Sequence, residues 1–251
     1  MQIEVHPDDD TVARKAAAVI AADLRAAVAA RGRFIMAVSG GHTPWRMLRV
    51  LADEGLPWER VHVFQVDERA APAGDHDRNL IHLRRSLLDH APLPPDHVHA
   101  MPVEVADLGR GAERYADTLR SVAGAPPVLD LVHLGLGPDG HTASLVPGDP
   151  ALDVADADVT MAGPYHGLRR MTLTFPIINR SRRILWLVTG AEKAETLARL
   201  RDGDRSIPAS RVRRDGALIL ADRAAAERLG SEHDPKKSVP VFGKDHAQTK
   251  S

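Results

Sequence analysis

Four short segments of this 251-residue chain carry residue types suited to chemistry on a small anionic molecule. They are Ser39-Gly40-Gly41-His42-Thr43, Asp67-Glu68-Arg69, Gly137-Pro138-Asp139-Gly140-His141 and Thr189-Gly190-Ala191-Glu192-Lys193. In the first, two glycines let the backbone approach a ligand closely, and free N–H groups ahead of a helix suit a phosphate. Read alone, the same residues also describe an ordinary tight turn. In the third, Gly140 can set an imidazole at a strand end, with Asp139 near enough to orient or tune it. A neutral imidazole is suited to general-base work near neutral pH. The competing reading of His141 is a surface histidine, one of 13. Lys193 stands out by composition. Only six of the 33 basic residues are Lys, and none but Lys193 lies between Lys15 and Lys236. On the first turn of a helix a cation is mildly unfavourable, which makes Lys193 a candidate point charge for a phosphate; the competing reading is a solvated surface residue. Arg69, Arg169 and Arg170 are further phosphate candidates.

Other chemistries find less support. Gly135, Gly137 and Gly140 fit G-x-G-x-x-G, but Pro147 and Pro150 cut short the helix that a dinucleotide site requires. There is no G-x-S-x-G elbow, P-loop or H-E-x-x-H. His97-Val98-His99 can put two imidazoles on one strand face without an obvious third ligand, a weak candidate for adventitious metal. With no Cys there is no disulfide framework, thiolate zinc site, iron–sulfur cluster or cysteine nucleophile. A net charge of −1 argues against a dedicated nucleic-acid binder, and 4% aromatic residues against a base-stacking platform. No apolar run approaches the roughly 18 residues of a membrane span, and the first residues do not read as a signal segment. The expectation is a cytoplasmic protein acting on a small molecule, without nucleic-acid or membrane partners. Nothing in the sequence calls for more than a monomer.

These segments need elements to position them. Ile3–His6 predicts a short strand. Asp8, Asp9 and Asp10 then open a helix whose apolar residues Val12, Ala16, Val19, Ile20, Leu24 and Ala27 recur at three and four, ended by Gly32. Phe34–Val38 is a continuous apolar run, as in a strand covered on both faces. Thr43-Pro44 opens a second helix. Further strands are predicted at Val61–Val66, Leu129–Leu134, Met171–Phe175, Ile184–Val188 and Ala217–Leu220. Helices are predicted at Asn79–Leu88, Gly109–Val122, Glu192–Leu200 and Asp222–Leu229. The stretch 145–168 reads as a surface excursion. Alternating strands and helices imply an α/β fold, an open, doubly wound and mostly parallel sheet with helices on both faces. All four segments then fall at the carboxyl ends of strands, where such sheets bind ligands. Residues 1–230 read as one α/β domain and 231–251 as a disordered polar tail.

Five stretches in order carry a family resemblance. They are SGGHTP at 39–44, VDER at 66–69 with Pro72 and Asn79, LGLGPDGHTASLVPG at 134–148, RRMTLTFPIIN at 169–179 and VTGAEKAE at 188–195. Together they resemble the 6-phosphogluconolactonase family, whose fold is shared with glucosamine-6-phosphate deaminase and ribose-5-phosphate isomerase relatives. The resemblance implies cofactor-independent hydrolysis of 6-phospho-D-glucono-1,5-lactone, the second step of the oxidative pentose phosphate pathway. On that reading His141 is the general base and Asp139 orients it. Ser39, Gly40, Gly41, Thr43, Asp67, Arg69, Gly140, Arg170 and Lys193 bind the substrate, and no metal is used. Arg78 stands where the family often has Ser, either adding charge near the sugar phosphate or lying on the surface. Val146 stands where Phe is common. One alternative is an amino-sugar phosphate deaminase/isomerase using Asp67 and a ring-opening histidine; Pro138-Asp139 argues against it, where deaminases carry Ser-Asn. The other is a sugar-phosphate sensor without turnover.

Overall fold

The computed structural model describes residues 1–230; the predicted tail lies outside the described residues. Seven strands form one sheet, in which every pairing is parallel. In chain order they are β1 (Gln2–His6), β2 (Phe34–Val38), β3 (Val61–Gln65), β5 (Val98–His99), β6 (Leu131–Gly135), β9 (Arg183–Val188) and β10 (Ala217–Asp222). Their spatial order is β1-β10-β9-β6-β2-β3-β5. All five residues of β2 are buried, as its unbroken apolar run requires. Burying each large apolar side chain there contributes on the order of 2 kcal/mol.

Helices α1 (Asp9–Arg31) and α2 (His42–Ala52) cover one face of the sheet, and α4 (Leu108–Ala123), the short α5 (Phe175–Arg180) and α6 (Ala194–Asp202) pack into the core of the other. The predicted start and stop of α1 are realised by local chemistry. The Asp8 carboxylate accepts from the Thr11 N–H at 2.8 Å, and Gly32 closes the helix at φ 75° with its N–H on the Val28 carbonyl.

A second sheet departs from the sequence expectation. β4 (Asp67–Arg69), β8 (Leu168–Leu173) and β7 (Val159–Tyr165) form an antiparallel three-stranded layer. Val66 joins the two sheets, its N–H donating to Val38 and its carbonyl accepting from Leu173. Met171–Phe175, predicted as another strand, therefore falls largely in β8, outside the parallel sheet. The supposed surface excursion contains β7, because His166 (φ 52°) and Gly167 (φ 80°) fold the chain into a tight hairpin. Two further expectations change. Asn79–Leu88 divides into α3 (Asn79–Leu83) and one π-helical turn. Asp222–Leu229 is not an α-helix. Asp222 belongs to β10, its carboxylate accepts from the Ala225 N–H at 2.7 Å, and only a 3₁₀ turn at Glu227–Leu229 follows.

Candidate active site

The carboxyl ends of β2, β6 and β9 open into a cavity of about 360 Å³ that receives residues from all four predicted segments. Ser39, Gly40 and Gly41 come from the β2–α2 turn, Thr43 from the first turn of α2, Asp67 and Arg69 from β4, His141 from the loop after β6, Arg170 from β8, and Lys193 from the turn before α6. Asp139 and Gly140 stand behind His141 and do not line the cavity. Glycine is required twice in this loop. A Cβ on Gly137 would lie 2.0 Å from His141 Nδ1, so the imidazole packs directly on bare backbone. Gly140 has φ 84°, and a Cβ there would lie 2.5 Å from Ile207.

His141 Nδ1 lies 2.6 Å from Asp139 Oδ1, and the His141 backbone N–H donates to the same oxygen at 3.1 Å. A carboxylate accepts only, so Nδ1 carries the proton and Nε2 is the basic nitrogen. Partial burial pushes Asp139 up. The His141 backbone and ring, with Tyr165, outweigh it and hold Asp139 below its ordinary range. Asp139 is thus an anion fixed behind the imidazole, able to stabilise it once it takes a second proton.

Three cations line the same cavity: Arg69, Arg170 and Lys193. Arg170 is almost fully buried, and its Nη1 lies 3.9 Å from Asp67 Oδ2. Burial, then the neighbouring Arg69 charge, pulls Arg170 below its usual value. Burial likewise lowers Lys193, against Glu192 and Asp139, which raise it. The Nε atoms of Arg69 and Arg170 and the Oδ1 atom of Asn79 are buried without hydrogen-bond partners among the described residues. Helix α2 begins beside them with no side-chain cap and no acid in its first turn, leaving its positive end open to an anion.

Several candidates act within the protein. The Ser39 hydroxyl donates to the His133 carbonyl at 3.0 Å, and its backbone N–H to His133 Nδ1 at 3.2 Å, so the side chain anchors the turn. Thr43 Oγ1 shares a 2.7 Å hydrogen bond with Thr189 Oγ1, tying the β2 and β9 turns together. Asp67 Oδ2 accepts from Ser144 at 2.6 Å, and Asn79 donates to the Asp67 carbonyl. Arg169 is exposed and lies outside the cavity lining. Arg78 is neither a surface residue nor a cavity residue. It is buried with Nε 3.3 Å from the fully buried Glu68, and also reaches Glu104 and the Ala71 carbonyl. His97 and His99 do not converge as ligands. His99 Nε2 lies 3.2 Å from His62 Nδ1, and His97 bonds the Val61 carbonyl. Among the described residues, metal-ligating side chains converge only at Asp75, His76 and Asp77. Sequence reasoning missed Tyr165, whose hydroxyl donates to Asp139 Oδ2 at 3.2 Å. Missed too was Ser144, an ordinary hydroxyl residue without a local signal, while Thr189 lay in a predicted segment but was given no role there.

Residues 7–220 match the family described as glucosamine-6-phosphate isomerases/6-phosphogluconolactonase. The chain belongs to that family. A Synechocystis protein named 6-phosphogluconolactonase is 37% identical over 236 residues, covering 91% of this chain and 98% of that one. The Mycobacterium tuberculosis protein of the same name is also 37% identical, over 243 residues with the same coverage. Among solved structures, 6-phosphogluconolactonase from Trypanosoma brucei superposes with a TM-score of 0.81 at 28% identity, covering 91% of this chain and 98% of that one. A monomeric glucosamine-6-phosphate deaminase superposes with a TM-score of 0.79 at 21% identity, over 91% of this chain and 100% of that chain, which establishes the shared fold alone. No helix among the described residues is long and apolar enough to cross a membrane.

Proposed function

We propose that this chain hydrolyses 6-phospho-D-glucono-1,5-lactone to 6-phospho-D-gluconate, with His141 as general base. The relatives named 6-phosphogluconolactonase support the activity. The mechanism is carried by one observation: the Asp139–His141 pair, bonded at 2.6 Å, in the wall of a cavity that also holds Arg69, Arg170 and Lys193. The lactone is an activated cyclic ester and needs no covalent intermediate. The three cations hold the phosphate, which fixes the ring relative to the base. Neutral His141 Nε2 takes a proton from water as that water attacks the ring carbonyl carbon. The tetrahedral oxyanion is met by N–H groups of the Gly40-Gly41 turn at the positive end of α2. As the intermediate collapses, the carbonyl re-forms and the ring C–O bond breaks. The imidazolium returns its proton to the departing ring oxygen, leaving an open-chain acid. Asp139 keeps Nδ1 protonated throughout and balances the imidazolium charge.

General-base catalysis contributes about 10²–10⁴ in rate, so His141→Ala should reduce hydrolysis of freshly generated lactone by about 10² or more. The assay is initial-rate pH-stat titration with uncatalysed ring opening subtracted. Near-normal turnover in that variant places the base elsewhere. Release of ammonia from glucosamine 6-phosphate by the wild type would replace this reading with the deaminase one, and tight binding without turnover would replace it with the sensor.

A further inference from the structure

Tyr165 ends β7 at the hairpin tip, after a register irregularity between Ala162 and Tyr165. Such an irregularity re-aims a side chain. The phenol is directed at the base pair. Its Oη donates to Asp139 Oδ2 at 3.2 Å and lies 3.4 Å from His141 Nδ1, and the two rings meet edge-on with centroids 5.1 Å apart. The same residue meets the cationic side of the cavity. The Arg170 guanidinium lies over the Tyr165 ring, 5.0 Å from its centroid, and Arg170 Nη2 donates to the Tyr165 carbonyl at 3.4 Å. Asp139 therefore uses Oδ1 for the imidazole and Oδ2 for the phenol, while one aromatic ring separates the base from the buried arginine.

We infer that Tyr165 is a positioning residue that locks the Asp139–His141 pair and Arg170 into one unit, the hydroxyl serving the base and the ring serving the cation. The inference rests on His141 being the base. The two functions separate by chemistry. The hydroxyl neutralises part of the Asp139 charge and fixes its carboxylate plane, so removing it loosens the imidazole and leaves Asp139 more strongly attracted to an imidazolium. The ring face attracts the guanidinium through its quadrupole, and removing it frees Arg170 to turn from the phosphate position. The other titratable and charged groups around the pair are His166, whose ring meets the Tyr165 ring edge-on with centroids 4.2 Å apart, Lys193 and Glu192 before α6, and Asp67 and Arg69 on β4. Burial and the Asp139 charge raise Tyr165 above the ordinary phenol value, so it remains a donor through the neutral range.

The test compares Tyr165→Phe, Tyr165→Leu, Asp139→Asn and His141→Ala in steady-state lactone hydrolysis across pH, with thermal melts to establish folding. Tyr165→Phe should lower kcat about tenfold, the size of one hydrogen bond to a charged group, with KM nearly unchanged. Its acid limb in kcat/KM should move to higher pH, because a less satisfied Asp139 holds the imidazolium longer. Tyr165→Leu should lower kcat similarly and also raise KM several-fold, since the cation–π contact is lost. Tyr165→Phe combined with Asp139→Asn should lose little more than Asp139→Asn alone, because the hydroxyl acts through that carboxylate. A folded Tyr165→Phe with unchanged kcat and acid limb overturns the inference while leaving His141 as base, provided His141→Ala is inactive. Near-normal His141→Ala overturns both.

Discussion

Acidification should destabilise this protein through a residue that never touches solvent. His133 on β6 is fully buried, and its Nδ1 accepts the Ser39 N–H at 3.2 Å. The proton therefore sits on Nε2, which has no partner among the described residues. Burial holds this imidazole neutral, pulling its pKa from 6.5 down to about 3. The unfolded chain binds the proton first. The contribution to stability is complete above about pH 6.5 and is lost progressively toward pH 3. At pH 5 the loss is RT ln(1 + 10^1.5), about 2 kcal/mol, and it approaches about 5 kcal/mol only below pH 3. Domains are stable by only about 5–15 kcal/mol, so this is a large share. The assay is urea unfolding at pH 7.5 and pH 5 for the wild type and His133→Asn, whose amide oxygen can still accept from Ser39. The wild type should lose about 2 kcal/mol more than the variant between the two conditions. His99, held down to about 4, and His62, also lowered, add acid sensitivity to both proteins alike and cancel in the comparison. Equal losses within about 0.5 kcal/mol would refute the claim that burial keeps His133 neutral.

Other expectations follow from the same geometry. Lys193→Ala should raise KM for the lactone about tenfold or more, the scale of one charge-assisted contact to phosphate. Because burial lowers Lys193, KM should climb on the alkaline side below the ordinary lysine range, and Lys193→Arg should abolish that climb; a flat alkaline KM profile in the wild type would remove Lys193 from phosphate binding. Arg78→Met strips the fully buried Glu68 of its countercharge and should cost about 3 kcal/mol in denaturant unfolding with little change in KM. A large KM effect with normal stability would instead give Arg78 a substrate role. Gly140→Ala forces a Cβ against Ile207 at a left-handed φ, and should cost about 1–3 kcal/mol and lower kcat, measured by thermal melts alongside initial rates.

The parallel sheet was legible because its strands are unbroken apolar runs ended by glycine turns, and the order of those turns places them at one end. The antiparallel layer was not. An isolated stretch such as Met171–Phe175 has the apolar content of any buried strand, and its partners β4 and β7 are set by long-range pairing. The final helix failed because Asp222 was read as a helix opener, whereas its carboxylate closes a turn and also holds the Gly190 N–H.

What the sequence determined by itself was the local chemistry: glycines beside His141, an acid two residues before it, one isolated lysine, and a pair of glycines just ahead of a helix. These follow from residue type and spacing within a single turn, so no fold is needed to see them. Tertiary structure decided which polar groups are free to meet a ligand. Ser39 and Thr43 form hydrogen bonds that tie the cavity turns, Asp67 is bonded within the wall, Arg78 pairs with a buried acid, and Tyr165 reaches the Asp139–His141 pair from a hairpin more than twenty residues away. Hydrogen-bond satisfaction and burial depend on neighbours distant in the chain, and that is why composition and periodicity are silent about them.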